Sequence, residues 1–179
     1  MTRKLTVAAL LTLDGVHAEP RSFAGPYFDD AAAARSLATL QSCDAMLMGR
    51  TTYEYFAPAW SAAPGAYAER INAIGKYVFS STLVRVDWSN TTLVAGDPAE
   101  TVAELKQQPG GDLMIYGFGR LPRSLLEHDL VDELVFTVFP VIAGTGTPLF
   151  RPGQQAQLEL MSTKAEPTGA VELTYRRRR

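Results

Sequence analysis

The run Leu5-Thr6-Val7-Ala8-Ala9-Leu10-Leu11-Thr12-Leu13 is apolar almost without a break and closes on Asp14-Gly15. A strand with one wet face alternates apolar and polar residues, whereas a strand covered on both faces needs no such alternation. The run therefore predicts a central strand with helices above and below it. Shorter runs repeat the theme at Ala45 to Met48, Tyr77-Val78-Phe79, Thr92 to Ala95, Leu113 to Tyr116 and Leu134 to Phe139. Each stops at Gly, Ser or Pro.

Helical segments fall between these runs. Asp29 or Asp30 caps an alanine-rich helix reaching about Gln41, with Leu37 and Leu40 on one face. A second helix spans Thr51 to about Ala59, and a short amphipathic turn around Ile71 and Ile74 follows Ala62-Ala63-Pro64-Gly65. A third starts at Asp97-Pro98, with Pro at the first helical position, and runs through Leu105. A fourth follows Arg120 to about Asp129. Beyond Phe150 the period changes to two: Leu158, Leu160 and Ser162, then Val171, Leu173 and Tyr175, flank Pro167-Thr168-Gly169. That is a hairpin pattern. The expected fold is α/β, one domain over residues 1–179: an open, mostly parallel twisted sheet flanked by helices, with a C-terminal antiparallel hairpin.

Charge narrows the partners. Seventeen basic residues against nineteen acidic ones give a net charge of −2, so nucleic acid is not expected as a partner. The closing Arg176-Arg177-Arg178-Arg179 is a basic tail, read as a frayed and solvated end; the other reading is a polyanion-binding arm. The single Cys43 rules out an internal disulfide framework and, among apolar neighbours, reads as a small core residue. No apolar run reaches the ~20 residues that span a bilayer, and the basic start lacks a cleavage-site pattern. A soluble cytoplasmic protein is the expectation.

In an open parallel sheet, ligands gather beyond the carboxyl ends of the strands, near helix N-termini. Three polar clusters occupy such places. Gly49-Arg50-Thr51-Thr52 follows the second strand, where free backbone N–H groups, the Arg50 fork and two hydroxyls suit a phosphate. Simple N-capping with a solvated Arg50 is the competing reading. Ser80-Ser81 follows the third strand, where serines also serve as ordinary turn formers. Gly117-Phe118-Gly119-Arg120-Leu121 joins the fifth strand to its helix, and its two glycines let backbone approach a pyrophosphate. The six-residue dinucleotide fingerprint is absent, since its third glycine is missing. Three anion-friendly strand ends on one sheet together suggest a dinucleotide. The basic and hydroxyl groups at the first two suggest the extra 2′-phosphate of NADPH.

These segments, in this order, resemble the dihydrofolate-reductase-like superfamily, and within it the branch of the C-terminal reductase domain of bacterial riboflavin biosynthesis and its stand-alone relatives. The resemblance rests on Thr12-Leu13-Asp14-Gly15, Met48 to Glu54, Gly117 to Leu121, Leu130 to Leu134, Pro140 to Gly146 and Leu149-Phe150. It covers roughly Thr2 to Tyr175. It implies that Gly49, Arg50 and Thr51 form the phosphate-binding helix start, with Arg50 at the adenosine 2′-phosphate. Ser80 and Ser81 would lie beside the adenosine ribose phosphate. Gly117, Phe118, Gly119, Arg120 and Leu121 would form the loop under the pyrophosphate. Asp14 would lie on the nicotinamide and substrate side, and Gly144-Thr145-Gly146 near the substrate end or a subunit contact. Members of this branch are often dimers, so a homodimer is expected, with Leu134 to Phe139 and the final hairpin as apolar edges. One departure matters: Asp29 and Asp30 read as helix caps and no Pro-Trp segment precedes them, so folate is not the expected substrate.

Hydride transfer asks little covalent help of a protein, because the coenzyme supplies the hydride. A proton donor would still help. Asp14 is the candidate, against a plain turn role with Gly15; His17 is weaker, and Glu54 reads as support for a helix start. His128 and Asp129 read as a helix C-terminal surface. Tyr53, Phe56, Trp60 and Phe118 either line a site or belong to the core. The expected activity is an NADPH-dependent reductase acting on a small planar heterocycle, pterin- or pyrimidine-like. The alternative is an NADP(H)-binding module without turnover that acts through a partner, and a weaker rival is a polyanion binder using the arginine tail.

Overall fold

The structure, a computed structural model, describes residues 2–150, 153 and 155–178. The first half of the chain runs β1 (Leu5–Thr12), α1 (Arg21–Ala24), a 3₁₀ turn (Gly25–Tyr27), α2 (Asp30–Ser42), β2 (Cys43–Gly49), α3 (Arg50–Trp60), α4 (Ala66–Ala73) and β3 (Gly75–Phe79). The second half runs β4 (Thr91–Val94), α5 (Pro98–Gln107), β5 (Asp112–Tyr116), α6 (Arg120–Glu127), β6 (Glu133–Phe139), β7 (Leu158–Ala165) and β8 (Val171–Arg177). One eight-stranded sheet has the order β4-β3-β2-β5-β1-β6-β8-β7. The first six of these are parallel, and β8 and β7 add antiparallel. The α/β architecture with an antiparallel end is the one the alternating pattern predicts.

Two cores explain the unbroken apolar runs. On one face, Val102 and Leu105 of α5 and Leu121, Leu125 and Leu126 of α6 pack on Leu5, Val7, Leu47 and Leu113. On the other, Leu40 of α2, Ile71 of α4 and Phe56 and Ala57 of α3 pack on Met46, Met48, Val78 and Met114. Asp29 caps α2 by accepting the Ala32 N–H at 2.8 Å, and Asp97 caps α5 by accepting those of Ala99 and Glu100.

The connections reverse direction in the middle of the sheet. The chain leaving β2 passes through α3 and α4 to β3 on one side, while the chain leaving β5 passes through α6 to β6 on the other. Between the neighbours β2 and β5 the ladder carries only Cys43↔Asp112, Ala45↔Leu113 and Met46↔Met114. β2 stays paired with β3 as far as Gly49↔Phe79, and β5 with β1 as far as Ala8↔Tyr116. The two strands thus part company halfway and leave an opening at their carboxyl ends. Their amino ends are pinned, because Asp44 accepts the Gly111 N–H at 2.7 Å and pairs with the buried Arg3.

Four details differ from the sequence expectation. The segment after β1 read as a loop contains α1 and the 3₁₀ turn, and the short turn around Ile71 is the eight-residue helix α4. Leu134 to Phe139 is no open edge, since β6 pairs with β1 and β8; the edge strands are β4 and β7. Arg176 and Arg177 are the end of β8, not a frayed tail. Arg176 pairs with Glu159 at 2.8 Å, and Arg177 Nη1 donates to the Leu126 carbonyl at 2.7 Å, at the end of α6. Arg179 lies outside the described residues.

Candidate active site

The opening between β2 and β5 is flanked by two helix starts. α3 begins after Gly49 and α6 after Gly119, and neither N-cap glycine offers a side chain to its helix. The first-turn N–H groups of both helices are therefore left to other acceptors, and both positive dipole ends face the carboxyl rim of the sheet. An added Cβ at Gly49, Gly117 or Gly119 would meet nothing within 4 Å, so all three border open space. Gly117, with φ of +86°, also needs the left-handed region that side chains disfavour.

Arg50 occupies the first position of α3, where its charge opposes the dipole of its own helix. Two contacts hold it: Nε donates to Glu54 Oε1 at 2.7 Å and Nη1 to Thr82 Oγ1 at 3.0 Å. Nη2 faces no partner among the described residues. Ser80 organises the turn beyond β3, its Oγ accepting the N–H groups of Thr82 and Leu83 at 3.2 and 3.0 Å. Because Gly49 is registered on Phe79, Arg50 and Ser80 follow directly on adjacent strand ends. Thr51, Ser81 and Arg120 are exposed at the same rim, and Thr52 is half-buried.

The loop after β5 contributes mainly backbone. Phe118 is 1% exposed and packs edge-on against Phe136 and Phe150, and Leu121 lies in the core beneath α6. Their expected contact with a coenzyme therefore cannot come from their side chains. Gly117, Gly119 and Arg120 remain outward.

Asp14 was the expected proton donor. Its carboxylate instead accepts the Thr12 hydroxyl at 2.6 Å and the N–H groups of Ala143 and Gly144 at 3.0 and 2.7 Å. These donors hold its pKa down at about 2. It anchors the loop after β6 to the end of β1. His17 sits next to that loop, its N–H donating to the Thr147 carbonyl at 3.1 Å. Burial, then the charge of Arg123, lowers its pKa and favours the neutral ring, whose Nε2 is buried without a partner.

On the α2–α3 face, an aromatic wall stands beside the carboxyl end of β5. Phe56 packs on Tyr116, the last residue of β5, at 6.0 Å between centroids, and Tyr55 packs on Phe56 at 5.9 Å. The Arg21 guanidinium from α1 lies over the Tyr55 ring at 4.9 Å. Burial raises the pKa of the Tyr116 and Tyr67 phenols, which keeps both protonated. Tyr53, Phe56 and Trp60 are half-buried and pack against the second core. A hollow of about 360 Å³ lies on the outer side of α3, walled by Tyr53, Glu54, Ala57, Pro58, Asp87 and Trp88, apart from the opening in the sheet.

Sequence reasoning missed Thr82, Tyr55, Tyr116 and the pairing role of Glu54. Glu54 was readable as an i,i+4 partner of Arg50. Thr82 was one residue beyond a noted serine pair, but nothing local tied it to Arg50.

Comparison with known proteins bears on the family and the fold. Residues 3–171 match the family described as the RibD C-terminal domain. Two Bacillus subtilis (strain 168) proteins are similar: YyaP, 28% identical over 142 residues covering 76% of this chain and 75% of YyaP, and YwjB, 30% identical over 136 residues covering 75% and 74%. A Shewanella sp. PV-4 protein provisionally assigned to riboflavin biosynthesis superposes with a TM-score of 0.75, at 24% identity, over 100% of both chains. The Thermotoga maritima diaminohydroxyphosphoribosylaminopyrimidine deaminase/5-amino-6-(5-phosphoribosylamino)uracil reductase superposes with a TM-score of 0.69 at 11% identity, over 99% of this chain and 57% of that one. At these identities the structural likenesses carry the fold alone.

Proposed function

The chain belongs to the RibD C-terminal domain family, and from that premise we propose that it is an NADPH-dependent reductase that delivers a hydride to a small planar heterocycle, pyrimidine- or pterin-like. The observation that carries the reading is the convergence of two uncapped helix starts with Arg50, Ser80 and Thr82 around the opening where β2 and β5 diverge. The family's reductase character supports the activity, and the chemistry of these donors fits a phosphorylated dinucleotide.

When bound, the coenzyme supplies the hydride. The chain's part is to bind and orient. N–H groups at the start of α6, reached past Gly117 and Gly119, would donate to the pyrophosphate. Arg50 Nη2 and the Thr82 hydroxyl receive the 2′-phosphate, with Ser81 and Thr51 at the same rim. The wall of Phe56, Tyr55 and Tyr116 offers flat apolar surface for a planar acceptor.

Calorimetry with NADPH and NADH, followed by NADPH oxidation against a panel of pyrimidines and pterins, tests this. Binding of NADPH and acceptor-dependent oxidation are expected. Absence of NADPH binding overturns the reading. A second reading, an NADP(H)-binding module acting through a partner, is favoured by one observation: the Asp14 carboxylate is engaged by the Thr12 hydroxyl and the N–H groups of Ala143 and Gly144 and so anchors a loop. Tight NADPH binding with no oxidation by any acceptor would select it.

The proposal extends to a cytoplasmic homodimer joined through the outer hairpin strand, where Leu160 and Met161 are 51% and 48% exposed. No helix among the described residues is long and apolar enough to cross a membrane. Sedimentation at micromolar concentration should give twice the chain mass, and a monomer mass would exclude the dimer.

A further inference from the structure

Glu54 places a carboxylate beside the position proposed for a phosphate. Its Oε1 takes the Nε–H of Arg50 at 2.7 Å, and both side chains are about half exposed, at 48% and 50%. Thr82 takes Nη1. Each of the two guanidinium edges that could grip a phosphate through paired N–H groups therefore already has one nitrogen committed. An arriving 2′-phosphate must share the guanidinium with a like charge. A ribose carrying only hydroxyls meets the opposite situation, because a carboxylate accepts hydroxyl protons while an arginine favours phosphate. Both kinds of reader stand here on successive turns of one helix, four residues apart.

From this juxtaposition we infer that Glu54 is a coenzyme-specificity residue that moderates the preference for the phosphorylated coenzyme and keeps the seat open to NADH. The inference rests on the proposed coenzyme site, and it assigns to Glu54 a role beyond holding the start of α3. Removing its charge while keeping its shape weakens the hold on the Nε edge of Arg50 and removes the repulsion, so the phosphorylated ligand gains and the unphosphorylated one does not.

The test compares wild type with Glu54→Gln by calorimetry, using adenosine 2′,5′-bisphosphate against adenosine 5′-monophosphate, and NADPH against NADH. The expected result is at least about threefold tighter binding of the bisphosphate and of NADPH, with the monophosphate and NADH unchanged or weaker. The gain should shrink as salt is raised past the range where the Debye length falls below ~8 Å. An unchanged ratio, or equal weakening of all four ligands, overturns the inference and leaves the coenzyme site standing. Failure of wild type to bind either phosphorylated ligand removes both. Glu54→Ala, which also deletes the side chain, guards against an effect peculiar to the amide: it too must raise the ratio of phosphorylated to unphosphorylated affinity, and a fall in that ratio counts against the role.

Discussion

The carboxylate of Asp14 accepts the backbone N–H of Gly144 at 2.7 Å, a contact that joins the end of β1 to the loop after β6 across 130 positions of sequence. Thr12 and Ala143 complete its set of donors, and together they lower its pKa from 3.8 to about 2. A carboxyl whose folded pKa is depressed adds stability above its unfolded value and loses it as pH falls through the folded one. The loop should therefore stay anchored at pH 4 and loosen toward pH 2. Asp14→Ala should loosen it at any pH, with hydrogen exchange at Gly144 about tenfold faster and that of the sheet interior unchanged. Unchanged Gly144 exchange would show that the loop is held by other contacts.

Arg50→Gln is the direct probe of the phosphate seat. Hydrogen bonds to charged groups are worth about 1.5–3 kcal/mol, so NADPH affinity should fall roughly 10- to 100-fold while NADH affinity moves by less than about threefold. Equal losses for both coenzymes, read by calorimetry, would mean that Arg50 serves the fold and not the ligand.

Gly117→Ala separates backbone from space. Nothing lies within 4 Å of the added methyl, so no clash is expected, but φ of +86° costs a side-chain-bearing residue about 1–2 kcal/mol. Urea melts should show that loss, together with weaker NADPH binding as the turn shifts. A variant as stable as wild type would show that this turn relaxes freely.

Lys76 is 1% exposed, yet its ammonium donates to the carbonyls of Ile71, Asn72 and Ile74 and lies 4.7 Å from the centroid of the Trp88 ring. It closes the C-terminal end of α4, where a positive charge suits the helix dipole. Lys76→Met would strand those acceptors and should cost about 1–3 kcal/mol in urea melts at pH 7. Burial pulls the Lys76 pKa from 10.5 to about 8. For a base shifted downward, the unfolded chain binds more protons than the folded one between these values, so stability contributed by this group rises from pH 8 toward 10.5. The methionine variant should lack that rise, and a parallel pH profile would refute the assignment.

Much of this was legible because both faces of the sheet are buried: the short apolar runs mark the six parallel strands, and Asp29, Asp97 and Pro98 mark helix starts by local chemistry. What escaped depended on distance in sequence or on a break with composition. Lys76 stood outside the expected strand because lysines are rarely interior, and only the fold brings three carbonyls to it. Arg176 and Arg177 looked like tail because a run of like charges hides the strand alternation; Glu159 and Leu126, which receive them, lie 17 and 51 positions away. The rim positions of Gly49, Arg50 and Gly117 were legible because strand ends followed by helix starts are readable locally, and that of Ser80 because a serine pair closes an apolar run. The anchoring role of Asp14 was not, since two of its donors, Ala143 and Gly144, lie about 130 positions away.

The short ladder between β2 and β5 has a mechanical consequence. Three registered pairs join β4-β3-β2 to the other five strands, against seven between β1 and β6. Both cores run across this seam, Leu47 packing with Leu5 and Met114 with Met46, so the parting is confined to the carboxyl rim, where the ladder leaves the strand ends unjoined. A molecule lying across the rim would act as a strut between those ends.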